Sequence, residues 1–81
     1  MPTTTTKVNA TNAYATRWTQ GDATFELSAI KGGHNLTLGM LPAGSSQWTT
    51  CSVADPERFT GGNAVNTQAG FDAIVERYLS A

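Results

Sequence analysis

The sequence predicts an α+β domain, an antiparallel β-meander of about four strands packed against one C-terminal α-helix. Three observations carry the prediction. Phe71, Ile74, Val75, Tyr78 and Leu79 recur at the spacing of a single helical stripe. Upstream, four segments alternate apolar and polar residues with the period of a half-buried strand. The connections between those segments are short and rich in Gly, Asn, Asp, Ser and Pro.

Taken in order, residues 1–6 contain Pro2 and four consecutive threonines. A uniform Thr run has no apolar face to bury, so a disordered tail is expected, with a single small domain spanning 7–81. Residues 7–12 are β-like and leave open a fold-back as a fifth strand. The first strand covers Ala13 to Thr19, with Tyr14, Thr16 and Trp18 on one face. Gln20-Gly21-Asp22-Ala23 turns the chain. Thr24 to Ile30 then sets Phe25, Leu27 and Ala29 against Thr24, Glu26 and Ser28. Lys31-Gly32-Gly33-His34 reads as a primed hairpin turn. In Asn35 to Met40, Leu36, Leu38 and Met40 oppose Asn35 and Thr37, and a Leu41–Ser46 loop leads to the last strand, Gln47 to Val53. There Cys51 and Val53 take the core phase, opposite Trp48, Thr50 and Ser52. The expected core face is Trp18, Phe25, Leu27, Leu36, Leu38, Met40 and Val53. Asp55-Pro56-Glu57-Arg58-Phe59 suits one helical turn with Asp55 as cap and Pro56 at its first position. Gly61-Gly62 breaks that turn, and Phe59 and Val65 would tuck under the edge of the final helix. That helix runs from about Asn66 to Ala81, with Asn66 or Thr67 to cap it.

Composition narrows the function classes. The 81 residues carry five Lys+Arg and six Asp+Glu, a formal net charge of −1, and the basic residues are scattered. A partner held mainly through phosphates, whether nucleic acid or an acidic membrane, is not expected. One cysteine excludes an intrachain disulfide framework and a Cys-based zinc cluster. No apolar signal region and no membrane-length apolar run are present, so the expected setting is soluble and cytoplasmic.

Catalytic constellations are missing. His34 sits among Gly32, Gly33 and Asn35, without a nucleophile or carboxylate beside it. Cys51 falls in the core phase, where a free thiol behaves as a small hydrophobe. Asp72 and Glu76 stand one turn apart on the outer helix face, an arrangement that solvation explains. Neither glycine pair fits a phosphate-binding loop. The chain is therefore expected to be no enzyme, with no cofactor and no metal.

The candidate binding surface is the sheet face opposite the helix, and the candidate residues are Trp48, Thr50, Thr37, Asn35 and Arg17. A face of facing Thr and Ser residues is stable in water by cross-strand pairing alone. Trp48 departs from that pattern: a large indole among hydroxyls either anchors a partner or folds over the sheet end onto Tyr14 or Leu41. An open sheet edge offers a second route, through homodimerisation or a partner's strand. The expected function is a small non-enzymatic protein–protein interaction module, an accessory or inhibitor protein of a bacterium or phage. Two alternatives stand beside it: a single-stranded nucleic-acid-binding domain using the same face, and a structural homo-oligomer subunit.

Overall fold

The computed structural model describes residues 4–81 and shows an α+β fold with a five-stranded sheet. In chain order the elements are β1 (Thr6–Lys7), β2 (Ala13–Gln20), β3 (Ala23–Ile30), β4 (Thr37–Leu41), β5 (Thr49–Ser52), α1 (Glu57–Thr60) and α2 (Gln68–Ser80). All strand pairings are antiparallel and the spatial order is β1-β2-β3-β4-β5, a pure meander. The extra strand is the fold-back left open for residues 7–12, placed slightly earlier. Thr6 pairs with Arg17 and Lys7 with Thr16, and the Val8 N–H donates to the Ala15 carbonyl at 2.8 Å. Thr6 is thus in the sheet and outside the expected tail, whose first three residues lie outside the described residues.

β2 and β3 are joined by two residues, and Gln20 pairs directly with Ala23. Gly21 has φ 62°, the conformation that the first central position of a type II′ hairpin turn demands. The Gly32-Gly33 connection differs from the expected tight hairpin. β3 ends at Ile30 and β4 starts only at Thr37. Gly32 N–H donates to the Val65 carbonyl at 2.7 Å, and Val65 N–H donates to the Gly33 carbonyl at 2.9 Å. The glycine pair therefore supplies backbone partners to the loop preceding α2, and that requirement overrides a minimal turn.

Of the two expected caps of α2, Thr67 is the one used. It is in extended conformation, and its hydroxyl accepts from Gly70 N–H at 3.0 Å. Phe71, Ile74 and Val75 are buried against Tyr14, Trp18, Leu27, Ala29 and Leu36, and Phe59 and Val65 close the core from below. Phe71 and Leu27 are 0% exposed. Burying a side chain of that size contributes roughly 1.5–3 kcal/mol. Aromatic pairs knit the layers: Tyr14 stacks on Phe71 with centroids 5.8 Å apart, and Trp18 on Phe25 at 6.0 Å. The Trp18 indole N–H is buried and has no hydrogen-bond partner among the described residues, an orphan donor costing about 1–3 kcal/mol.

Three local expectations need correction. Asp55 does not cap α1: its side chain makes no cap hydrogen bond, Pro56 takes the N-cap position, and Asp55 sits at φ 50°, a left-handed conformation that Asp tolerates better than most residues. Met40, assigned to the core face, is 37% exposed, and Cys51, assigned to the same face and expected buried, is exposed. Both have the predicted phase, because Met40 pairs with Thr49 and Leu38 with Cys51 on the side facing α2. What fails is coverage. A helix is about 10 Å wide with its side chains, whereas strands repeat every 4.8 Å or so, so one helix shelters roughly two strands. α2 packs chiefly over the β2 side, and all four residues of β5 stay exposed. Among the described residues, no helix is long and apolar enough to cross a membrane.

Candidate functional site

On the face away from α2, register lines up Thr6, Arg17, Glu26, Gly39 and Thr50 in one row across all five strands. Ala15, Ser28, Thr37 and Ser52 form the next row. Alternation along each strand alone places these polar side chains together. Between the rows lies a shallow depression of about 150 Å³, lined by Arg17, Glu26, Ser28, Thr37, Gly39, Trp48 and Thr50.

Trp48 enters from just before β5 and is half-buried. It does not fold onto Tyr14, which belongs to the core on the opposite side of the sheet. Its ring lies across the sheet at Gly39, so close that a Cβ built on Gly39 would stand 3.2 Å from Trp48 Cε3. Glycine at 39 is what lets the indole rest on the backbone. The Arg17 guanidinium carbon sits 5.0 Å from the indole centroid. The Arg17 Nε–H donates to Glu26 Oε1 at 2.7 Å across the β2–β3 pair. Arg17 is thereby held between a carboxylate and an aromatic face, and its charge is locally balanced.

Four of the five residues named from sequence, Trp48, Thr50, Thr37 and Arg17, come together in this depression. Asn35 does not: it is exposed in the connection before β4 and stays outside. Sequence reasoning missed Gly39 as part of the site. An isolated glycine inside an alternating strand was the available signal, since it marks a close approach by something else. Glu26 and Ser28 were placed on this face by their phase, but their role beside Arg17 depends on pairing register.

The remaining chemistry-bearing residues are dispersed. His34 is exposed, and no group of three or more His, Cys, Asp or Glu able to hold a metal occurs among the described residues. Asp72 is engaged in structure: it accepts from Gln68 Nε2 at 2.8 Å and lies 3.5 Å from Lys7 Nζ. Arg77, given no partner from sequence, donates from Nη1 to the Phe59 carbonyl at 2.6 Å, tying α2 to the last turn of α1. A second hollow of about 330 Å³, bordered by Thr60, Asn63, Thr67 and Arg77, separates α2 from the loop before it. Neither a family model, nor a curated protein, nor a solved structure matches this chain.

Proposed function

We propose that the chain is a small non-enzymatic protein–protein interaction module, acting as an accessory or inhibitor protein of a bacterium or phage. It engages its partner through the polar sheet face around Trp48. One observation carries this reading: the Trp48 indole sits close against Gly39 and within cation–π distance of Arg17, in a depression lined by hydroxyl groups. An aromatic already fixed before binding loses little entropy on association, and Trp and Arg are the residues that most often dominate interface energetics. Thr37, Thr50 and Ser28 surround it with groups that can donate or accept without carrying charge. The pairing of Arg17 with Glu26 disfavours the nucleic-acid alternative, because the face presents no net positive charge to a phosphate backbone.

The test is affinity for whatever protein a pull-down with the intact chain recovers. Trp48→Ala should weaken that binding by at least about thirtyfold, the equivalent of roughly 2 kcal/mol. Thr37→Ala and Thr50→Ala should produce smaller losses. If all three variants bind as the parent does, the polar face is not the site.

A further inference from the structure

The two edges of the sheet are finished differently. At the β1 edge the strand is two residues long and carries Lys7. Just beyond it, Asn9 Oδ1 accepts from the Ala15 N–H at 2.9 Å, while Asn9 Nδ2 donates to Gln68 Oε1 on α2. Lys, a short strand and side-chain occupation of the ladder are recognised ways of closing an edge. β5 has none of them. All four of its residues are exposed, it contains no proline, and no Asp, Glu, Lys or Arg occurs anywhere from Gly32 to Ala54.

The backbone of β5 shows which groups are free. Val53 N–H donates to the Leu36 carbonyl at 3.0 Å, so Leu36 and Val53 form a hydrogen-bonded pair in the register that joins β4 to β5. Hydrogen-bonded and non-hydrogen-bonded pairs alternate along an antiparallel ladder. Leu38–Cys51 and Met40–Thr49 are therefore also hydrogen-bonded pairs. The N–H and C=O groups of Thr50 and Ser52 point away from β4, into the open edge.

From this geometry we infer that β5 pairs antiparallel with β5 of a second copy of the chain, about a two-fold axis passing beside Cys51. In that register Thr50 of each copy meets Ser52 of the other and they exchange backbone hydrogen bonds. Their hydroxyls stand opposite each other on the polar face. Cys51 faces Cys51 of the second copy across a non-hydrogen-bonded position, where Cα atoms lie about 4.5 Å apart. On the α2 side, the strip of exposed Met40 and Cys51 and half-covered Leu38 and Val53 adjoins the same strip of the second copy. Charge favours this occupant. An edge without charge meets no like-charge repulsion from its own copy and offers no counter-charge to a charged foreign strand. The pairing joins two meanders into one ten-stranded sheet and leaves both Trp48 faces open.

The assembly is tested by sedimentation equilibrium across a dilution series, combined with cross-linking of the intact chain by a short bis-maleimide. The parent chain should sediment as a monomer–dimer equilibrium and yield a covalent dimer through Cys51. Cys51→Ala should still dimerise but should not cross-link. Ser52→Pro removes only an outward N–H, a position where an edge strand accepts proline, and should raise the dimer dissociation constant about tenfold or more. Cys51→Glu, which sets two carboxylates against each other at the axis, should do the same, and it covers the case in which the proline variant fails to fold. Trp48→Ala should leave the dimer intact, so failure of the partner-binding reading and failure of this one are separable. The inference is overturned if the parent stays monomeric throughout the series. It is equally overturned if a dimer forms that neither cross-links through Cys51 nor responds to Ser52→Pro and Cys51→Glu.

Discussion

The two halves of the sheet carry the same apolar alternation but have different fates. At the β2–β3 end, strands of eight residues carry Tyr14, Trp18, Leu27 and Ala29 beneath Phe71, Ile74 and Val75, and nearly all of that surface is closed. At the β4–β5 end the same face carries Leu38, Met40, Cys51 and Val53, which are exposed or only half-covered. The apolar pattern is continuous across both ends, and the single 13-residue helix is not wide enough to follow it. Stability is thus concentrated at one end of the sheet. The surfaces available for recognition, Trp48 on one face and the β5 edge beside it, lie at the other. A domain of this size typically has only about 4–12 kcal/mol of stability in total, so such a division matters.

The sharpest way to break this comparison is to empty one position at each end. Phe71→Ala removes a ring that is fully enclosed and stacked on Tyr14, and should lower unfolding free energy by about 3–5 kcal/mol, most of the domain's stability. Met40→Ala, on the same face but at the uncovered end, should cost about 1 kcal/mol or less. Urea unfolding of dilute protein measures both. Comparable losses would mean that the β4–β5 end is as much a part of the core as the helix-covered end.

A smaller effect is expected at the β1 edge. Asn9→Ala takes the acceptor away from the Ala15 N–H and breaks the tie to Gln68 on α2, at a cost of about 1–2 kcal/mol. Hydrogen exchange at the Ala15 amide should accelerate, while amides in the β3–β4 ladder keep their protection apart from the global shift. If Ala15 exchange is unchanged, the β1 edge is closed by the strand pairing itself, and the contrast with β5 rests on strand pairing and Lys7 alone.

These contrasts also mark how far the sequence could be read. Alternation and the helical stripe are local signals. They were sufficient for an antiparallel meander followed by a C-terminal helix, for a cap at Asn66 or Thr67, and for the faces of Trp18, Leu27 and Phe71. Coverage is a global property: the phase of Cys51 is right, yet nothing in residues 47–53 says that α2 packs chiefly over β2. The partners of Arg77, Asp72 and Gly32 are distant in sequence and were invisible for the same reason. In the candidate site, phase alone assembled Arg17, Thr37, Trp48 and Thr50. The contact that fixes Trp48 required the register opposite Gly39, and Asn35 fell outside because β4 begins two residues later than the alternation suggested.

The finest probe of the open end is Tyr78, which bridges the two regions by packing against Trp18 and Phe59 near Cys51. Burial pushes its phenol above the ordinary value of 10.0, and the Cys51 thiolate raises it further by repulsion. A raised phenol pKa means that the folded state favours the neutral form. The contribution to stability is complete below pH 10, the unfolded value, and is lost as pH rises through the higher folded value. Cys51→Ser removes the thiolate and leaves the burial, so the Tyr78 titration followed by ultraviolet absorbance should move part of the way back toward 10 while staying above it. The alkaline loss of stability should still set in near pH 10 but be smaller and complete at a lower pH. If the titration does not move, Cys51 and Tyr78 are separated by solvent that screens their charges, and the uncovered strip is wetter than its apolar residues imply. If it falls all the way to 10, burial contributes nothing at Tyr78, and the helix-covered region ends one turn earlier along α2 than the packing of Tyr78 against Trp18 indicates.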